Sequence, residues 1–354
     1  MRWPVANKPA SGMIEALTPI WERVLQRSPI GPEDNFFDLG GDAITAVRLF
    51  GEIARALGRE LPAAWIYQTP TIAALAAVLD LPEMPKFPAL VLLRPGAEEP
   101  PVFIAHGLGG NVLSLFHLIK DVRTEHPIYG MQARGIDGMD EPFGRVEDEA
   151  LFFLEAMLKI QPHGPYFLVG YSFGGLVTLE MAQSLSERGE KVGLLAMLET
   201  YPHKRFLPFA ERAGLRVRLI KHHARTLMKL PFRAALSYIT NPAERMLYRA
   251  RKGGESVRTA PSGPAPSSAA RRMRDYGYRA YRNYRPGSYC GKIKFVKAAI
   301  TFPFPDDPAS YWGKLAGELQ VETVPGDHHG ILRTDSQELA DILSRYLREA
   351  FNEK

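Results

Sequence analysis

The run Tyr166-Phe-Leu-Val-Gly-Tyr-Ser-Phe-Gly-Gly-Leu-Val-Thr-Leu-Glu-Met-Ala-Gln-Ser-Leu185 decides the fold. Its first residues, Tyr166 to Gly170, form a short continuous apolar stretch, the pattern of a strand buried on both faces. From Leu176 to Arg188 apolar side chains recur at helical spacing. Between them stands Gly170-Tyr171-Ser172-Phe173-Gly174-Gly175, a Gly-x-Ser-x-Gly pattern in a strand-turn-helix context. A turn this tight leaves no room for a Cβ at the flanking positions, and it lifts the serine hydroxyl above the sheet. The bare pattern says little, but its context points to Ser172 as a nucleophile.

Outward from that turn the same alternation repeats. Val102 to Ala105, Ile128 to Met131, Leu194 to Leu198, Ile293 to Ala298 and Val321 to Val324 read as strands separated by helical stretches. That order predicts a mostly parallel sheet covered by helices. About 90 residues separate the strand ending at Leu198 from the one starting near Lys292, which predicts an inserted subdomain. Within it, Val257 to Ala270 is rich in Pro, Ser, Ala and Gly and reads as a loop. Before the sheet, Met13 to Gln26 and Ile44 to Leu57 carry apolar residues at a period near 3.6, so the N-terminal part reads as a small helical bundle. Leu81-Pro-Glu-Met-Pro-Lys-Phe-Pro88 crowds prolines that cannot continue a helix, and the linker is placed there.

A serine nucleophile needs a base, an acid to orient that base, and donors for the oxyanion. His106-Gly107-Leu108-Gly109-Gly110 follows the first of the strands read above, so the N–H of Leu108 or Gly107 is expected to act with that of Phe173. His106 reads as structural. Gly326-Asp327-His328-His329-Gly330 follows the last strand and supplies two candidate bases, His328 and His329. Glu199 ends the strand Leu194 to Leu198 and is the preferred acid; Asp306 and Asp307, after the strand Ile293 to Ala298, are the alternatives.

The totals restrict the class. Of 354 residues, 45% are hydrophobic and 23% charged, enough apolar side chains for a small and a large globular domain. No stretch of about 18 apolar residues predicts a membrane span, and no leader is visible. The single cysteine, Cys290, forms no internal disulfide, which suits a reducing, cytoplasmic setting. No spaced His, Cys and carboxylate cluster predicts a metal. His203 to Pro286 holds 20 Lys plus Arg against 4 acidic residues, yet no nucleic-acid-binding signature accompanies the surplus, which reads as solvated helix faces. A contact of this basic block with carboxylates between Glu15 and Asp42, or with the phosphate of an arm carried by that segment, is a further expectation.

Taken together, Pro101 to Phe351 resembles the type I thioesterases that terminate peptide synthetases and polyketide synthases. The resemblance implies an α/β-hydrolase fold with a lid inserted at about residues 200–289. Leu198-Glu199-Thr200-Tyr201-Pro202 is similar to the family's acid segment, with glutamate where aspartate is usual, and Gly326-Asp327-His328 matches its histidine motif and so selects His328 over His329. Asp34-Asn35-Phe36-Phe37-Asp38-Leu39-Gly40-Gly41-Asp42-Ala43 resembles the attachment site of a peptidyl carrier, where a serine after Gly-Gly-Asp receives 4′-phosphopantetheine from a phosphopantetheinyl transferase. Position 43 is alanine and has no hydroxyl to carry the arm; an installed replacement is preferred to a natural loss. The expected organisation is a carrier domain at 12–82, a linker at 83–99 and a thioesterase domain at 100–354. The implied partners are the chain's own carrier, upstream synthetase domains and an acyl or peptidyl thioester, with neither nucleic acid nor membrane. A stand-alone serine esterase and a noncatalytic docking module are the rival readings.

Overall fold

The computed structural model describes residues 11–83, 85–228, 268–301, 304–333 and 336–352. Most of the Pro/Ser-rich stretch of the insertion, and the first ten residues, lie outside them. Element labels below follow chain order among the described residues.

Three helices, α1 (Ser11–Leu25), α2 (Ala43–Leu57) and α3 (Ile72–Leu79), build the N-terminal bundle with a 3-10 turn at Ala63–Tyr67. Helix α2 starts where it does because Asp42 caps it: its Oδ1 accepts from Thr45 N–H at 2.8 Å while the Thr45 hydroxyl accepts from Asp42 N–H at 2.7 Å. This reciprocal box satisfies two donors that no helical carbonyl reaches. Gly58, at φ 66°, ends the helix in the left-handed region. Trp21, Phe36, Leu49, Ile53 and Leu75 are among the side chains that close the bundle's core.

The larger unit is a seven-stranded sheet in the order β1-β3-β2-β4-β5-β6-β7. Its strands are β1 (Leu90–Arg94), β2 (Val102–Ala105), β3 (Ile128–Met131), β4 (Tyr166–Tyr171), β5 (Val192–Leu198), β6 (Tyr289–Ile300) and β7 (Ala316–Asp327). All pair in parallel except β1, which runs antiparallel to β3 at the edge. Strand β1 falls inside the 83–99 stretch read as a linker: Leu90-Val-Leu-Leu-Arg94 holds four apolar residues, a run too short to stand out behind the prolines.

Alternate residues of the central strands point to opposite layers. Phe167 and Val169 of β4 join the layer of α4 (Phe116–Asp121) and α10 (Ser336–Asn352), while Tyr166 and Leu168 face α5 (Val146–Leu158) and α6 (Phe173–Glu187). Two described helices of the insertion, α7 (Phe209–Leu227) and α8 (Ser268–Asn283), leave the sheet between β5 and β6; a short α9 (Ala309–Trp312) precedes β7. No described helix is long and apolar enough to cross a membrane.

The bundle and the sheet share a core. Val91 of β1 and Val112 and Leu113, which follow the β2 loop, are buried with the bundle's side chains. Phe37 of the bundle stacks on Phe116 at 5.8 Å between centroids and 20° between planes. This seam sets the bundle beside the loop that follows β2.

Candidate active site

The turn after β4 is where the fold becomes a site. Ser172 sits at φ 55° and ψ −115°, a backbone conformation that side chains with a Cβ rarely adopt. Its N–H is pinned to Leu198 O at 2.8 Å, at the end of β5. A Cβ on Gly170 would lie 2.4 Å from Gly174 O, and one on Gly174 would lie 2.3 Å from His106 O, so both positions admit only glycine. Crowding of this kind holds the strain at Ser172, which costs on the order of 1–3 kcal/mol.

Glu199 begins the insertion one residue past β5, also at positive φ, 47°. Its carboxylate is buried. Oε1 accepts from Ala298 N–H at 2.6 Å, and Oε2 lies 3.1 Å from His328 Nδ1. The backbone contact at the end of β6 fixes the carboxylate so that the histidine meets it in a single orientation. His328 Nε2 in turn lies 3.0 Å from Ser172 Oγ. With Nδ1–H donating to Glu199, Nε2 is left to accept the serine proton.

The loop after β7 is built to present that imidazole. Gly326 takes φ 89°, and Asp327 Oδ1 accepts from the N–H groups of His329 and Gly330 at 3.0 and 2.8 Å. The ring of His328 lies between Tyr171 (5.3 Å) and Phe304 (4.8 Å). His329 lines the same cavity, but the contacts to Ser172 and Glu199 are made by His328; desolvation first, and then the neighbouring His328, hold His329 below the usual histidine range although the residue is exposed. Of the alternative acids, Asp306 pairs with Arg218 and Thr301, and Asp307 accepts from Ala309 N–H at 2.9 Å; their partners lie away from His328.

Gly107, Leu108 and Phe173 line the same cavity as Ser172. Phe173 is the first residue of α6, so its N–H has no acceptor within the helix and faces the site at the positive end of the helix dipole. His106, directly before the donor loop, is buried. Its Nδ1 donates to Gly107 O at 2.6 Å, and its Nε2 lies 3.1 Å from Glu149 Oε1 on α5, itself buried. The reading of His106 as structural thus gains a partner and a place: it braces the loop.

Several contributors carried no signal in the sequence. Tyr171, the variable position of Gly-x-Ser, donates its hydroxyl to His328 O at 2.5 Å, and burial raises its pKa. Phe304, Tyr201 and Tyr281 join the cavity wall from three separate segments. An aromatic at such positions reads from sequence as ordinary core.

At the bundle, Ala43 is the first residue of α2 and stands directly after the Asp42 cap. A serine here would project at a helix N-terminus, where backbone N–H groups favour an anion. Alanine offers no oxygen for a covalent arm, so the residues present do not fit an attached phosphopantetheine. The expected contact of the basic insertion with the bundle is not what Arg272 makes: it donates to Gly138 O at 3.4 Å.

A family model described as Thioesterase domain matches residues 100–236, and one described as Phosphopantetheine attachment site matches residues 15–79. The helical bundle thus carries the carrier-type match, and the mostly parallel sheet, of the α/β-hydrolase fold, carries the thioesterase match. Over 204 residues, 57% of the chain, it is 38% identical to a dimodular nonribosomal peptide synthase of Bacillus subtilis (strain 168), of which that region is 8%. It is 39% identical over 194 residues, 54% of the chain, to the malpibaldin synthetase of Mortierella alpina, of which it spans 4%. The chain thus covers under a tenth of these curated relatives. Among solved structures, a holo four-domain nonribosomal peptide synthetase bound to AMP and glycine superposes with a TM-score of 0.57 at 25% identity, over 96% of this chain and 26% of that one.

Proposed function

We propose that this chain releases acyl or peptidyl groups from thioesters in nonribosomal peptide, or hybrid polyketide, biosynthesis, through an acyl-enzyme on Ser172. The observation that carries the reading is the unbroken contact chain from Ser172 Oγ to His328 Nε2 at 3.0 Å and from His328 Nδ1 to Glu199 Oε2 at 3.1 Å. Ser172 Oγ attacks the thioester carbonyl and gives its proton to His328 Nε2. The tetrahedral oxyanion is met by the N–H of Phe173 and of Leu108 or Gly107, each donor being worth roughly 3 kcal/mol. The C–S bond then breaks, and His328 returns the proton to the departing sulfur. Water, activated by His328, resolves the ester to an acid; attack by a nucleophile within the acyl chain would give a macrocycle instead, and hydrolysis is the preferred outcome.

Because Ala43 gives the chain no attachment point, the thioester arrives as a free pantetheine ester or from another carrier. The complete triad favours this reading over a noncatalytic docking module, and the adjoining carrier domain favours thioesters over oxygen esters. The test is intact-protein mass spectrometry after incubation with pantetheine thioesters, with Ser172→Ala as control. Acyl mass on the parent alone supports the reading. Absence of both adduct and thioester consumption overturns it.

A further inference from the structure

The chamber over Ser172 has a chemistry of its own. It holds about 430 Å³, near the lower end of the ~300–1,000 Å³ usual for ligand sites. Its wall includes five aromatic rings, those of Tyr171, Phe173, Tyr201, Tyr281 and Phe304. The rings of Tyr201 and Phe304 stack at 5.0 Å and 11°, presenting a flat wall next to His328. Among the described residues of that wall, no Lys, Arg or Asp occurs; the only carboxylate is Glu199, already held by Ala298 and His328.

The insertion makes this absence informative. Residues 203–286 hold 20 of the chain's 44 Lys and Arg against four acidic residues, and α8 alone has five arginines, yet that helix sorts them outward. Arg271, Arg272, Arg274, Arg279 and Arg282 are exposed, whereas Met273, Gly277, Ala280 and Tyr284, spaced at helical intervals, are buried. The buried stripe rests on the donor loop: a Cβ on Gly277 would stand 3.1 Å from Leu108 O, and one on Gly110 would stand 2.8 Å from Met273 Sδ. Helix α8 thus turns its uncharged side toward the Gly107–Gly110 loop and places Tyr281 in the chamber wall. A charged acyl group packed against that wall would give up hydration there and find no counter-charge among the described residues.

Building on the thioesterase reading above, we infer that the acyl unit next to the thioester carbonyl is uncharged and apolar, with an aryl side chain preferred. Aromatic rings packed edge-on or offset against the wall gain more than their buried area alone supplies. Among the described residues of the wall, a basic acyl unit meets no free carboxylate and an acidic one meets no arginine.

The experiment uses the full chain and pantetheine thioesters of similar size: 3-phenylpropanoyl, hexanoyl, succinyl and 4-aminobutanoyl. A fluorophosphonate probe, read by mass with Ser172→Ala as control, is run beside them. The inference expects kcat/KM for 3-phenylpropanoyl to exceed that of the succinyl and aminobutanoyl esters by on the order of a hundredfold, and that of hexanoyl by a few-fold. In Tyr281→Arg, which sets a guanidinium in the chamber wall, the succinyl-to-phenylpropanoyl ratio is expected to rise at least about tenfold. Equal or better turnover of a charged ester by the unmodified chain overturns the inference while leaving the thioesterase reading intact. Fluorophosphonate labelling of Ser172 with no turnover of either apolar ester overturns it as well. No labelling and no turnover of any member sinks the thioesterase reading itself, and the inference with it.

Discussion

Tyr171 and His328 are joined twice: the tyrosine hydroxyl donates to the histidine's carbonyl at 2.5 Å, and the two rings stack at 5.3 Å. The residue before the nucleophile therefore holds the loop that carries the base. Tyr171→Phe keeps the ring contact and deletes the bond. It is expected to lower kcat about tenfold with little change in KM, because a small displacement of His328 spoils proton transfer more than binding. Steady-state kinetics on a pantetheine thioester checks this, and an unchanged kcat would remove Tyr171 from the machinery.

Glu199 reaches His328 with one methylene more than aspartate would have, while its other oxygen is tied to Ala298 N–H. Glu199→Asp is expected to keep one contact or the other but not both, lowering kcat by about ten- to a hundredfold. Glu199→Gln keeps the length but presents the wrong partner to Nδ1–H, and should fall by on the order of 10⁴. The order Gln below Asp below Glu, read as single-turnover acylation rates, is the discriminating result.

His106 and Glu149 contact each other in the interior, directly beneath the Gly107–Leu108 loop. Glu149→Ala removes a buried polar side chain beside His106 and should cost about 1–3 kcal/mol of stability. Glu149→Gln preserves the packing; its expected signature is a kcat about tenfold lower at nearly constant KM, as the donor loop loses its brace. Thermal unfolding and kinetics on both variants separate bracing from simple destabilisation.

Restoring a hydroxyl at the start of α2 tests the carrier assignment. Ala43→Ser, incubated with coenzyme A and a phosphopantetheinyl transferase, is expected to gain the mass of the arm, whereas the parent gains nothing. Adding Phe37→Ala, which removes the stack on Phe116, should slow release of a carrier-bound acyl group while leaving a free pantetheine thioester unaffected.

Glu349 accepts from Lys294 Nζ at 2.5 Å, and that hydrogen bond holds its carboxyl below the ordinary carboxylate range. Since the folded-state value lies below the unfolded one, the contribution is complete above the ordinary carboxylate value and is lost as pH falls through the depressed one. Because the Glu349 side chain is well exposed, Glu349→Gln should cost less than about 1 kcal/mol at neutral pH. The difference from the parent should vanish in acid, as read from urea unfolding at pH 7 and pH 3.

The sequence by itself determined the elements with strong local causes. Continuous apolar runs made β2 to β5 legible, since strands covered on both faces leave nothing polar to confuse the pattern. Gly170 and Gly174 announced the turn from β4 to α6 because a Cβ on the first would strike α6 and one on the second would strike the end of β2. The ends of β6 and β7 ran longer than predicted: Lys292, Lys294 and Lys297 interrupt the apolar run of β6, yet Lys292 and Lys294 find Glu318 and Glu349 across chain distances that no window spans. Glu199, Asp306 and Asp307 were chemically equivalent in the sequence. Only the tertiary structure decided among them, because Ala298 N–H and His328 Nδ1 converge on one carboxylate. The chamber was likewise invisible: Tyr171 and Phe173 flank the serine, but Tyr201, Tyr281 and Phe304 come from three other segments, and side chains that look like core in sequence become a wall only when the sheet and α8 leave space between them.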